Sequence, residues 1–283
     1  MYNHRIEDNE FKIDIDFTVE QDLKTFKEEV LAYVYSLHKT HGITNLLFSG
    51  GNDSTFLLQV LLELGITPKL LTLSFDPTFN NTVCSRAKEV CKSLSLKEPE
   101  FFFTDYKKIY EHASYIINEK NIAYPMVHAF NIDYVLNVYK DIKFLSGMGS
   151  EFKFDGAQVR LPPGPWLVKQ NNPGRLYDFT SSRTFLSYIN HELFVTNYTK
   201  PVKRINGGLF GPKDEWYIRD LIYNDCYKNL NLPSKTTNDG GRELKKLDED
   251  IAVLFQDKIP DMMWGKIKPF YFDVKEYFNN KNL

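Results

Sequence analysis

The stretch Ser49-Gly50-Gly51-Asn52-Asp53-Ser54-Thr55 gathers residue types that suit one chemistry, the grip of a phosphate or pyrophosphate. Two adjacent glycines let the backbone come against a ligand with no Cβ in the way. An apolar run, Thr44 to Phe48, leads into them, and an apolar helical pattern, Phe56 to Leu64, leads out. A helix is therefore expected to begin near Ser54, with its orphan N–H groups and positive end pointing back at the loop. Ser49, Ser54 and Thr55 add hydroxyl donors. Asp53 is the odd member, since a carboxylate repels an anion unless a divalent metal bridges the two. Asp53 or Ser54 serves equally well as a plain helix cap, and the residues alone leave both roles open. A second glycine-bearing stretch, Leu145-Ser146-Gly147-Met148-Gly149-Ser150-Glu151, also follows an apolar run, and Asp155 adds a carboxylate close by.

Both stretches need a scaffold, and the hydrophobic spacing supplies one. Leu23, Phe26, Val30, Leu31, Val34 and Leu37 keep a helical period, so Glu20 to Lys39 reads as the first ordered element, a helix stopped by Gly42. Strands are expected at 44–48, 69–74, 100–103 and 142–145. Helices are expected at 56–64, 83–94, 106–118 and 129–139. Short apolar strands alternating with helices predict an α/β fold, a parallel twisted sheet with helices on both faces. Ligands bind such sheets at the carboxyl ends of the strands, where both glycine stretches fall. After Gly156 the character changes. Leu161-Pro162-Pro163-Gly164-Pro165 and Asn171-Asn172-Pro173-Gly174 read as turns in a loop-rich excursion over one face. Helices follow at 182–188, 215–230 and 242–255. This divides the chain into an N-terminal helical segment (1–43), an α/β core (44–156) and a loop-rich, mostly helical C-terminal region (157–283).

Composition bounds the partners. The 283 residues are 42% hydrophobic and carry a net charge of −2, enough apolar material for a core and no general drive toward nucleic acid or anionic membrane. No run of 18 apolar residues predicts a transmembrane helix. Three cysteines (Cys84, Cys91 and Cys226) form no Cys-x-x-Cys pair, which argues against a zinc knuckle or a redox pair. An odd count with no apolar leader fits a reducing cytoplasm.

The string Ser-Gly-Gly-x-Asp-Ser between strand and helix resembles the signature of the PP-loop ATP pyrophosphatases, a superfamily with a Rossmann-like fold of the adenine nucleotide alpha hydrolase type. The resemblance implies that Ser49 to Thr55 hold the pyrophosphate of ATP, with magnesium on Asp53. It implies that a substrate oxygen attacks the α-phosphate, and that a nucleophile then displaces AMP. The second stretch is similar to the asparagine-synthetase element Ser-Gly-x-Gly-Ser-Asp-Glu-x-Phe-x-Gly. By that likeness Gly147 and Gly149 lie along the nucleotide, and Glu151, standing at the family's Asp, takes the metal with Asp155 nearby. Phe152 replaces the following Glu. Ser74 and Phe75, at the end of the second strand, would meet the adenine. Trp216-Tyr217-Ile218-Arg219-Asp220 looks like the family's Lys-Tyr-x-Leu-Arg helix, with Glu215 at the Lys position, which implies a catalytic role for Arg219. Pro233 to Gly240 resembles the element carrying an active-site lysine, so Lys235 would neutralise charge on the α-phosphate.

Absences narrow the choice within that superfamily. Position two is Tyr2, not the glutaminase cysteine of asparagine synthetases, and the segment before the ATP loop is too short for a glutaminase domain. Thiolating and zinc-binding relatives need cysteine sets that are not here. The expectation is an ATP-dependent, AMP-forming ligase that joins a small-molecule carboxylate to ammonia or an amine. Residues 157–173 would close over the acyl adenylate. A homo-oligomer is compatible with this reading. Two alternatives stay open: adenylation of a nucleobase or nucleic acid, and adenine-nucleotide binding without turnover.

Overall fold

Strand β3 (Asn45–Leu47) is the axis of the molecule, and its side chains show why. Leu46 points into one hydrophobic cluster and Leu47 into another. The same alternation holds in β4 (Lys69–Phe75), where Leu70 joins the first cluster and Leu71 the second. Strands buried on both faces read as continuous apolar runs, the pattern the sequence carries here.

The computed structural model describes residues 3–7, 10–75, 81–120, 124, 127–147, 153–154, 158–161, 164–199, 217–228, 249, 253 and 268–281. Around β3 and β4 lie α1 (Phe26–His41), α2 (Asn52–Glu63), α3 (Asn81–Ser93), β5 (Glu100–Thr104), α4 (Tyr106–Lys120), α5 (Val127–Val138) and β6 (Phe144–Ser146). A five-stranded parallel sheet results, in the order β5-β4-β3-β6-β9, with β9 at Leu176–Tyr177. Helices α1, α2 and α3 cover one face, while α4 and α5 cover the other. The expected parallel sheet with helices on both faces is therefore present. Its edge strand β9 comes from beyond residue 156, so the C-terminal region completes the sheet.

Two expectations change. The first ordered element is not the helix but a hairpin, β1 (Asn3–Glu7) with antiparallel β2 (Glu10–Asp14). Phe11 and Ile13 are buried while Asp14 is exposed, a period of two that sets a strand. Helix α1 starts only at Phe26, because Thr25 and Glu28 form a capping box there. Second, residues 164–171 are not loop. They form α6 (Gly164–Asn171), which buries Leu167 and Val168 in the second cluster. Pro165 is tolerated because the first turn of a helix has no carbonyl waiting for its N–H.

The remaining elements are β7 (Lys153–Phe154), β8 (Gln158–Leu161), α7 (Ser182–Ile189), α8 (Glu192–Asn197), α9 (Tyr217–Cys226), β10 (Phe270–Asp273) and α10 (Val274–Asn280). The strands form a small antiparallel sheet, β10-β8-β7. The Phe11 N–H donates to the Lys268 carbonyl at 3.0 Å, tying the N-terminal hairpin to this end of the chain.

One polar hub knits the second face. Asp133 on α5 is fully buried. It accepts from His112 Nε2 at 2.7 Å, Tyr124 Oη at 2.8 Å and Asn171 Nδ2 at 2.9 Å, and also from Asn172. Burial pushes this carboxyl up, but the bonds from His112, Asn172, Asn171 and Tyr124 outweigh it and hold it below the ordinary range. A depressed carboxyl stabilises the fold above its unfolded value, near pH 4, and loses that contribution as pH falls through the folded value. Asp133→Asn is thus expected to cost about 2–3 kcal/mol at pH 7, the worth of hydrogen bonds to a charged acceptor. The variant should also lose part of the wild type's fall in Tm below about pH 4. Calorimetry at pH 7 and pH 3 reads both. An unchanged acid profile would mean that Asp133 is not the group titrating.

Candidate functional site

The chain runs from β3 outward to β4 and β5, then returns to β6 on the other side of β3. The carboxyl ends of β3 and β6 therefore flank the point where strand order reverses, the preferred crevice for a ligand in such sheets. Both glycine stretches start there.

The first makes a tight turn. Gly50 has φ +65°, the left-handed region that glycine enters without a Cβ clash. A Cβ on Gly50 would also stand 2.8 Å from the Ala87 nitrogen and 2.9 Å from the Ala87 Cα, so α3 lies directly on the turn. The hydroxyls of Ser49 and Ser54 face each other at 3.2 Å. Ser49 Oγ accepts from the Gly51 N–H at 3.2 Å, and Ser54 Oγ donates to the Gly51 carbonyl at 3.1 Å. Helix α2 begins at Asn52, earlier than the sequence suggests, with Gly51 as N-cap and no side chain capping it. Asp53 and Ser54 are inside the first turn, which removes the capping role left open by the residues alone. The first helical bond is Thr55 N–H to the Gly51 carbonyl at 2.9 Å. The N–H groups of Asn52, Asp53 and Ser54 thus precede the helical ladder, the arrangement that receives an anion.

The second stretch meets the first. A Cβ on Gly147 would lie 2.8 Å from Asp53 Cβ and 3.0 Å from the Ser54 nitrogen, so only glycine allows this approach. Ser146 is buried beside it. Ser74, near the end of β4, is fully buried, and Phe75 is the last residue of that strand. Thr55 was expected to offer a hydroxyl to the ligand. Its Oγ1 is buried without a hydrogen-bond partner. Gly149, Glu151, Asp155 and Lys235 lie outside the described residues.

Asp53 has an arrangement the sequence did not predict. Its Oδ2 accepts from Arg219 Nη1 at 3.0 Å, and its Oδ1 accepts from Tyr223 Oη at 3.1 Å. Arg219 on α9 is 2% exposed, and its Nε and Nη2 donate to Asp220 Oδ1 at 3.1 and 2.8 Å. Burial would lower the Arg219 pKa, but the carboxylates of Asp53 and Asp220 hold it above its ordinary value. Burial, then the Asp53 charge, raise the Tyr223 hydroxyl well above its usual range, so it stays a neutral donor. Arg219 and Asp53 are therefore brought together as an ion pair, with the guanidinium buried and the carboxylate partly exposed.

This pairing bears on the metal. Among the described residues no group of three or more His, Cys, Asp or Glu is placed to hold one. Asp53, the expected ligand, has both oxygens engaged by protein donors, one of them a cation. The described residues do not fit a bound magnesium ion.

Sequence reasoning missed two contributors. Tyr223 is four residues after Arg219, a spacing that puts both on one helical face, and that was the available signal. Arg86 on α3 donates from Nε to the Ser49 carbonyl at 3.5 Å, bringing a cation to the turn. Nothing in the local sequence pointed to it, since α3 reaches the loop only through the fold. Cys91 and Cys226 are poor nucleophiles here. Burial pushes the Cys91 thiol up to about 11 and the Cys226 thiol up to about 12.

The described residues define a parallel α/β fold with a glycine turn at the point where strand order reverses. No family model matches the chain, and no curated protein matches it. Among solved structures it is similar to a predicted subunit of a tRNA methyltransferase from Methanocaldococcus jannaschii, at 18% identity, over 64% of this chain and 88% of that one, with a TM-score of 0.31. It is similar to the NMN synthetase of Francisella tularensis at 13% identity, over 83% and 94% of the two chains, with a TM-score of 0.31. It is also similar to the U34-tRNA thiolase NcsA of Methanococcus maripaludis at 13% identity, over 80% and 78%, with a TM-score of 0.30. No helix among the described residues is long and apolar enough to cross a membrane.

Proposed function

We propose that this chain is an ATP-using enzyme of the PP-loop kind, which adenylates a substrate carboxylate and then forms an amide. The observation that carries the reading is the Ser49–Ser54 turn at the switch point, with α2 uncapped by any side chain and Gly147 pressed against it. Paired hydroxyls, glycine backbone and a helix N-terminus together suit a pyrophosphate leaving group. In the first step a carboxylate oxygen of the acceptor attacks the α-phosphate. The bond from that phosphorus to the bridging oxygen breaks, and pyrophosphate leaves toward the turn. In the second step an amine nitrogen attacks the acyl carbon, loses a proton and expels AMP. The loop residues contribute by orienting the nucleotide and by placing fixed dipoles where negative charge grows.

Amide formation is favoured over sulfur transfer because the sequence carries no Cys-x-x-Cys pair, and burial raises the Cys91 and Cys226 thiols. Magnesium enters this reading only through the resemblance, and no step above depends on it.

Incubation of the purified protein with ATP, magnesium and a pool of metabolites, followed by separation of the nucleotides, tests the reading. AMP with pyrophosphate is expected, reduced at least about tenfold in a Ser49→Ala/Ser54→Ala variant, since each lost donor to a developing charge is worth that much or more. ADP with phosphate would overturn the assignment. AMP formed only when RNA or DNA is added would move the acceptor to nucleic acid. ATP binding with no turnover under any of these conditions would reduce the protein to a nucleotide binder.

A further inference from the structure

The carboxylate of the phosphate turn is the place where the fold and the resemblance part company. On α2, Asp53 and Phe56 are three residues apart and share a face. On α9, Arg219 and Tyr223 are four apart and share a face. The two faces interlock as a two-by-two block. Asp53 takes Arg219 Nη1 at 3.0 Å and Tyr223 Oη at 3.1 Å, while the Tyr223 ring stacks on Phe56 with centroids 4.1 Å apart and planes 8° apart. Phe26 of α1 stacks on both Phe56 and Tyr223, at 5.8 and 6.3 Å, and closes the block from behind. Gly147 presses on Asp53 from the second loop. Asp53 is thus gripped by an α9 cation, an α9 hydroxyl and the backbone of the second loop.

Such a carboxylate is badly placed to bind a divalent ion. Each oxygen already accepts a hydrogen bond. A metal on Oδ2 would stand within a few ångströms of a buried guanidinium, and like charges that close in a buried setting repel strongly. Releasing Arg219 to make room would break its ion pair with Asp53 while the guanidinium stays deep in the protein. The arrangement suits a different task. The first turn of α2 carries the N–H groups of Asn52, Asp53 and Ser54, and the aim of those groups depends on how that turn is rotated and held. A strut from Asp53 to α9 fixes that rotation.

We propose that Asp53 is a positioning residue, braced by Arg219 and Tyr223 so that the first turn of α2 is aimed at the pyrophosphate, and not a metal ligand. The proposal rests on the ATP reading, since it assigns parts within that site. Tyr223 and Arg219 act through Asp53, from a helix on the far side of the chain. Any cation that neutralises the phosphates is then held by the nucleotide itself or by residues other than Asp53.

The test is binding of a non-hydrolysable ATP analogue, titrated at several magnesium concentrations, for the wild type, Asp53→Asn and Tyr223→Phe. Tyr223→Phe keeps the ring stack, and circular dichroism checks that its helix content is retained. Both variants are expected to weaken analogue binding by a similar factor, about tenfold, as for one lost hydrogen bond to a charged group. The magnesium concentration giving half-maximal binding stays within about twofold of wild type in both, because neither removes a ligand. A tenfold or greater rise in that concentration for Asp53→Asn alone, with Tyr223→Phe behaving as wild type, overturns the proposal. So does unchanged affinity in both variants. If the wild type itself binds no analogue, the ATP reading fails first, and that result is distinct from either pattern among the variants.

Discussion

Arg219→Met is expected to lower the free energy of unfolding by about 2–3 kcal/mol, because a buried guanidinium is lost from two carboxylates that are themselves partly exposed. Against a typical total of about 5–15 kcal/mol, that is a large share. The cause is what stays behind. Asp53 loses its Nη1 donor, and Asp220 loses the two bonds it takes from Nε and Nη2. Both carboxylates thus lose a charged donor. Methionine replaces much of the lost packing volume, so the deficit measured is chiefly electrostatic. Urea unfolding followed by circular dichroism reads it. A loss under about 1 kcal/mol would show that the pair behaves like an exposed surface bridge. Replacing Arg219, Asp53 and Asp220 together with apolar residues should recover much of the stability, since no charge is stranded. Nucleotide binding should not return with it.

Gly50→Ala is expected to be about as damaging to stability and more damaging to binding. Alanine at φ +65° costs about 1–2 kcal/mol in backbone strain. Its methyl would also sit 2.8–2.9 Å from backbone atoms of Ala87 and Arg86. Backbone cannot rotate away as a side chain does, so α3 or the turn itself must shift, adding about 1–3 kcal/mol. A shift of the turn misaims the N–H groups ahead of α2, and ATP-analogue affinity should fall at least about tenfold. Gly42 supplies the control. It has the same φ of +65°, as the C-cap of α1, but nothing lies within 4 Å of its added Cβ. Gly42→Ala should therefore cost about 1 kcal/mol and leave binding intact. Equal losses of affinity in the two variants would mean that backbone strain, not the approach of α3, sets the turn.

Much of the architecture was legible because it is written locally. Leu46 and Leu47 in β3, and the helical spacing of Val30, Val34 and Leu37 in α1, announce their elements by period alone. The hairpin at residues 3–14 was missed although Phe11 and Ile13 carry a period of two, because charged neighbours dilute a short strand until something covers it. Helix α6 reads as loop from its sequence because proline and glycine cluster at its start. Only its burial against the second face, through Leu167 and Val168, shows that the proline sits where a helix tolerates it.

The turn from Ser49 to Ser54 was determined by the sequence. Its glycines, hydroxyls and flanking apolar runs dictate a tight strand-to-helix connection wherever they occur, since φ preferences and helix-end dipoles are local properties. Tertiary structure alone decided what Asp53 pairs with. A carboxylate's role depends on which charges and donors come within a few ångströms. For Asp53 those come from Arg219 and Tyr223, more than 160 residues away along the chain. Such contacts form only when α9 packs on α2, so no local stretch of sequence announces the pairing.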